Sequence, residues 1–264
     1  MIIKNDFPIL EYSTDYEAVI NPQMDELPFP RLCLMTFFEE VLESFLNRYE
    51  GSIIGTYTSE MRKFNAYKVN HKGTEICVIQ AVVGSGSIAM MTDWLYGKGV
   101  EVLLCCGSCG VLADIPSGDV IIPTRALRDE GASYKYLPPS RYIDLDKEPI
   151  QTFEKVLKEQ RLPYVACTTW STDGFYRETK EMVEYRVQQE CKVVEMECAT
   201  QAAIAKFRNK KYGQLLYSGD ILVDSAGYDN RNWRSNMSAR EIIFQVTLES
   251  LIRLNSLTNQ MEDI

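Results

Sequence analysis

The near-continuous apolar run from Glu101 to Cys106 is the feature that most restricts what this chain can fold into. A run without polar alternation fits a strand covered on both faces, the habit of parallel sheets packed between helices. Other strand-like runs recur and alternate with segments of helical spacing, which argues for an α/β architecture. With 264 residues, 45% of them hydrophobic and 25% charged, the chain has enough apolar surface for one large core. No repeat, low-complexity tract or linker marks a boundary. Residues 1–264 therefore read as a single domain, with 1–30 as an extended lead-in.

Leu32 to Leu46 carries apolar residues at helical spacing with acidic residues between, and reads as an amphipathic helix. Lys63 to Asn70 and Glu75 to Val83 read as strands joined by a hairpin turn, Asn70-His-Lys-Gly73. The single histidine, His71, falls in that turn and is expected to be solvated. Gly84-Ser-Gly-Ser87 opens a helix from Ile88 to Tyr96, and the Glu101–Cys106 strand ends in Gly107-Ser-Cys-Gly110. Further strands are expected at Gly118–Pro123, Tyr164–Thr169, Lys192–Val194 and Tyr212–Tyr217. Helices are expected at Pro149–Glu159, Thr179–Gln189, after Cys198 and at Ala239–Leu254, with residues 128–150 largely loop.

Net charge is −9, which argues against a nucleic-acid backbone or an anionic membrane as a general partner. No apolar run approaches the ~20 residues of a membrane span. The eight cysteines sit mostly within apolar runs, as free thiols do in a reduced, cytoplasmic compartment. Cys106-Gly-Ser-Cys109 spells C-x-x-C, but no second cysteine pair with zinc spacing and no second histidine complete a metal set.

In open α/β sheets ligands gather beyond the carboxyl ends of strands. The polar and glycine-rich features of this sequence fall there: Gly84-Ser-Gly86, Gly107-Ser-Cys-Gly110, Ser171 to Tyr176, Glu195-Met-Glu197 and Ser218-Gly-Asp220. A carboxylate at the end of a buried strand is costly unless a polar group meets it. Glu195 and Glu197 can cap the helix that follows, or serve a hydroxyl-rich or cationic ligand; the stretch alone leaves both open.

These segments, in this order and approximate spacing, resemble the nucleoside phosphorylase/uridine phosphorylase superfamily and its nucleosidase relatives, over residues 60 to 255. The resemblance implies a phosphorylase-like fold, a twisted mixed central sheet flanked by helices. It implies cleavage of the N-glycosidic bond of a purine nucleoside by phosphate, with no metal or organic cofactor. Glu197 is similar to a ribose clamp that accepts hydrogen bonds from both the 2′ and 3′ hydroxyls. Met196 would pack under the sugar, Glu195 would support the clamp or cap the helix, and Phe175 would stack on the base. Asp220 corresponds to the acid that protonates purine N7, a role that needs a raised pKa. Arg240 resembles an arginine that assists that acid.

For phosphate, the resemblance implies Gly107 and Ser108, with Arg62 lent by a neighbouring copy and Arg31 in the region of a second arginine. That loan implies a homodimer or a hexamer (a trimer of dimers). The family's arginine three residues before the serine is Cys105 here. Three alternatives follow: another arginine such as Arg125 or Arg128 holds phosphate, water replaces it in a nucleosidase, or the chain binds nucleosides without cleaving them. Thr179 and Glu181 stand where uridine-specific members carry a Gln and an Arg, so the resemblance favours a purine over a uridine phosphorylase-like activity.

Overall fold

The computed structural model describes residues 1–22, 28–224 and 227–262, apart from the side chains of 223–224 and 256–262. The lead-in pairs β1 (Ile2–Ile3) with β2 (Tyr12–Ser13), and little of it is buried. The segment expected to form one helix from Leu32 divides into β3 (Leu32–Thr36), buried throughout, and α1 (Glu39–Tyr49). Leu-Cys-Leu-Met is continuous rather than periodic, the pattern of a strand buried on both faces. Helical spacing begins only with Val41, Leu42 and Phe45, which α1 buries.

β4 (Ser52–Thr58) escapes the sequence reading because most of its residues are exposed or half-exposed on an edge, so no apolar alternation marks it. It pairs with β5 (Lys63–His71), which turns into β6 (Thr74–Gln80) through Lys72 and Gly73, both at positive φ. A two-residue turn with both φ positive matches the twist of the hairpin. His71 is therefore the last residue of β5 and not a solvated turn residue. It is 6% exposed, packs against Tyr49 at 4.9 Å, and its pKa is lowered by burial.

The remaining elements are α2 (Ser85–Gly97), β7 (Val102–Val111), β8 (Val120–Asp129), β9 (Tyr142–Asp144), α3 (Lys147–Gln160), β10 (Tyr164–Thr172), α4 (Lys180–Gln188), β11 (Cys191–Glu195), α5 (Cys198–Phe207), β12 (Lys211–Asp224), β13 (Gly227–Asp229) and α6 (Met237–Glu262). β3 to β13 form one mixed sheet among the described residues. β7 pairs with β3 and β12 in parallel and with β11 antiparallel. Because β12 also pairs with β8, and β10 bridges β8 to β11, the strands β7, β12, β8, β10 and β11 close into a ring. One face carries a core with α2 and α5 (Ile88, Met91, Leu95, Ala203); the other carries α1, α3 and α6 (Phe45, Phe153, Leu157, Phe244). Among the described residues no helix is long and apolar enough to cross a membrane.

The strand read as ending at Cys106 continues through Gly107-Ser-Cys-Gly110, which lies inside β7. Gly107, Ser108 and Cys109 register with Leu216, Tyr217 and Ser218 of β12, and Gly110 with Val194 of β11. The glycines make room for neighbours: a Cβ on Gly107 would stand 2.8 Å from the Phe37 ring, and one on Gly110 2.8 Å from Leu222. Cys106 and Cys109 are three apart on a strand, so they point to opposite faces. Both are buried free thiols, and burial pushes Cys106 up to about 12.

Candidate active site

A cavity of about 700 Å³ opens where β3, β7, β11 and β12 deliver their carboxyl-terminal residues. Its acid wall begins with Glu195, the last residue of β11, which is 7% exposed. One carboxylate oxygen accepts from Thr169 Oγ1 (3.2 Å) and Ser171 Oγ (2.5 Å); the other accepts from the backbone N–H groups of Glu197 (2.7 Å) and Cys198 (2.6 Å). Those two N–H groups begin α5 and would otherwise be orphaned. Glu195 thus ties β10, β11 and the start of α5 together, with both oxygens engaged.

Glu197 is 5% exposed, and its carboxyl does not cap α5. Oε1 accepts from the backbone N–H of Gly84 at 2.6 Å, at the start of α2. Burial first, and then the charge of Glu195, push its pKa up to about 8, against the opposing backbone hydrogen bonds. Met196 lines the cavity between the two acids, and Phe175 stands half-exposed (50%), edge-on to Tyr176.

Asp220 also lines the cavity, inside β12. Burial raises its pKa, opposed by hydrogen bonding with Tyr228 and the charge of Arg231. The acid that feels the Asp220 charge is Glu178. Glu178 lines the same cavity, and burial together with the Asp220 charge lifts its pKa to about 7. The sequence reading passed over Glu178, although it lies three residues after Phe175.

Arg240 lines the cavity as well, but its partners are not those of an acid's assistant. It pairs with Glu40, lies over the Phe38 ring at 5.0 Å and donates to the Tyr217 hydroxyl at 3.5 Å. Ser108, the register partner of Tyr217 on the neighbouring strand, lines the cavity too, so guanidinium and serine both adjoin that tyrosine. Arg62 is exposed, bonds to Gln80 at 2.8 Å, and does not line the cavity of its own chain. Gly107 is absent from the lining too. Arg31 sits just before β3, at the end away from the cavity, paired with Glu101 at 3.0 Å. Arg125 pairs with Asp144, and Arg128 is spent on the 133–140 loop through Ser133, Pro138 and Ser140. Among the described residues no group of three or more His, Cys, Asp or Glu is placed to hold a metal ion.

The family model described as "Phosphorylase superfamily" matches residues 31–249. A guanosine phosphorylase of Halorubrum lacusprofundi is 28% identical over 158 residues, which span 60% of this chain and 66% of that relative. A purine nucleoside phosphorylase from Toxoplasma gondii, solved with immucillin-H, superposes with a TM-score of 0.76 at 18% identity, over 91% of this chain and 99% of that one. An AMP nucleosidase from Bacteroides thetaiotaomicron superposes with a TM-score of 0.70 at 21% identity, over 88% of this chain and 91% of its own. At these identities the two structures speak for the fold.

Proposed function

The chain belongs to the phosphorylase superfamily, and from that premise we propose that it cleaves the N-glycosidic bond of a purine nucleoside with phosphate as acceptor, releasing free base and ribose-1-phosphate. The observation that carries this reading is that Glu197, at the start of α5, and Asp220, in β12, line one cavity. A diol acceptor and a proton donor on opposite flanks of a ribosyl-base bond are what the chemistry requires.

In this reading Glu197 accepts from the two ribose hydroxyls, Met196 lies against the sugar and Phe175 against the base. Glu195 holds the clamp rather than the substrate, since both its oxygens are engaged. As the C1′–N9 bond breaks, its electron pair moves onto the purine and Asp220 delivers a proton to N7. A phosphate oxygen then forms the new bond to C1′. An acid whose pKa burial has raised suits that delivery near neutral pH. Phosphate would sit at the corner formed by Ser108 and Arg240. Arg62, exposed and outside its own cavity, would complete the site of a neighbouring copy, making a dimer the smallest active unit. No metal or organic cofactor enters the scheme, and a reduced cytoplasmic setting suits its free thiols.

A second reading, hydrolysis, is favoured by one observation: Cys105 is a buried thiol where the resemblance implies a guanidinium. Base release from inosine, guanosine, adenosine and uridine, measured with and without phosphate, separates the two. The proposal expects purine release that depends on phosphate. Equal release without it would make the protein a nucleosidase.

A further inference from the structure

A second cavity, of about 380 Å³, shares no lining residue with the first. It opens where the end of β8 meets the 133–141 loop, α4 and Leu10 of the lead-in. Three arginines line it, Arg128, Arg141 and Arg186, against a single acid, Asp129, which leaves an excess of two positive charges. Ser140 and Tyr134 complete its polar wall.

Only one of the three cations is answered within this wall. Arg186 bonds through Nη2 to Asp129 at 2.8 Å. Arg128 is 4% exposed, and its four hydrogen bonds all go to neutral acceptors. These are Ser133 Oγ (2.9 Å), Ser140 Oγ (2.8 Å) and the carbonyls of Pro138 (2.9 Å) and Leu137 (3.3 Å). Among the described residues no carboxylate stands within ion-pair distance of it. Glu130 acts on it from further off, with one oxygen given to the N–H groups of Ala132 and Ser133 and to Thr200. The Tyr134 ring, 4.3 Å from the guanidinium, offers a weaker attraction than a counter-ion would. Buried charges are normally paired, and burial pulls the Arg128 pKa down.

Arg141 sharpens the imbalance. Its carbonyl accepts from the Arg128 N–H at 3.0 Å, one step beyond the Leu127–Tyr142 pair, so the two arginines stand opposite each other. Like charges placed directly opposite are destabilising. Arg141 itself bonds to the Tyr185 hydroxyl at 3.2 Å, another neutral partner.

We propose that this cavity is a second ligand site, separate from the catalytic one, that takes a phosphate dianion, free or as the ester of a small polyol. The forked donors of arginine match phosphate oxygens. A guanidinium has five N–H groups. Arg128 spends four of them and Arg186 two, on Asp129 and Gln189, so both keep donors for a ligand. A dianion cancels the excess charge and separates the two opposed arginines. The volume exceeds what one phosphate group fills and leaves room for an esterified group beside Leu10.

The test titrates the full chain calorimetrically with inorganic phosphate and with glycerol 3-phosphate. Arg141 is exposed, so Arg141→Glu reverses a charge with little risk to the fold, and it should weaken binding roughly tenfold or more. Asp129→Asn removes the opposing charge but keeps an acceptor for Arg186 and Trp170, and it should tighten binding several-fold. Neither residue lines the catalytic cavity, so phosphate held there would respond to neither change. Damage to the fold does not produce a tightening. Tighter binding of glycerol 3-phosphate than of inorganic phosphate identifies the ester as the occupant, and equal binding identifies the free anion. No saturable binding by the wild type, an affinity unmoved by Arg141→Glu, or unchanged or weaker binding by folded Asp129→Asn overturns the assignment.

Discussion

Glu197 carries two demands that conflict near neutral pH. Accepting from two ribose hydroxyls favours the carboxylate, yet burial and Glu195 hold its pKa near 8 without ligand. Nucleoside should therefore bind more tightly as pH rises from 7 to 9, and Glu197→Gln should flatten that dependence; a wild-type affinity constant over this range would count against the clamp. The stability of the ligand-free protein should move the other way. Between the ordinary carboxyl value of 4.5 and about 8 the folded state holds a proton that the unfolded chain has lost, so stability falls as pH rises through that window. Melting temperatures from pH 5.5 to 8.5 should fall more for the wild type than for Glu197→Gln. Asp220 makes a separate prediction. Asn keeps the shape but cannot hand over a proton, so Asp220→Asn should lower kcat by roughly 100-fold or more, the usual worth of a general acid, and leave the nucleoside KM within a few-fold. An unchanged kcat would remove Asp220 from that role. The two acids were legible in the sequence because a carboxylate after a buried run must be answered by something. Glu178 was harder to read, since a single polar residue in a loop gains meaning only from what stands across the cavity.

At the scale of elements the sequence misleads where its pattern is ambiguous about conformation. Leu32–Thr36 and α1 share one stretch of apolar residues, and only the change from continuous to spaced marks their border. The β4 edge strand has almost no inward face to betray it. Gly107-Ser-Cys-Gly110 is the instructive case: glycines after an apolar run read as the end of a strand, yet β7 continues through them, because the ring of strands needs Phe37, Leu222 and Val194 to come close. The two readings differ in a measurable way. A backbone cradle for an anion would predict that Gly107→Ala weakens phosphate binding and leaves stability alone. A strand glycine facing Phe37 at 2.8 Å predicts overpacking of about 1–3 kcal/mol. For a chain of this size that is a fall in melting temperature of roughly 2–10 °C. Because Phe37 also lines the cavity, activity should fall with it. A stable variant that binds phosphate poorly would restore the cradle.

The closed ring β7–β12–β8–β10–β11 decides which residues one chain can bring to its own cavity, and Arg62 is left outside. It sits just before β5, exposed, bonded to Gln80 and loosely to Glu39 at 3.4 Å. Exposed ion pairs of this type contribute little to stability, about 0–1 kcal/mol, so the contacts Arg62 makes within its own chain, which include the Phe64 ring at 4.6 Å, could be exchanged for a neighbour's site. If each site combines Glu197 of one chain with Arg62 of another, two inactive variants should repair each other. Arg62→Ala spoils only the neighbour's site, and Glu197→Gln spoils only its own. In a mixed dimer, the Arg62→Ala chain keeps its own Glu197 and receives Arg62 from the Glu197→Gln chain, so one of its two sites is intact. Equal amounts of the two variants, unfolded and reassembled together, give mixed dimers half the time, and activity should return to about a quarter of the wild-type level. Each variant reassembled alone should stay near its own low rate. If every site were built within one chain, the mixture would only average the two variants. Recovery above that average requires that an arginine cross from one copy to the next.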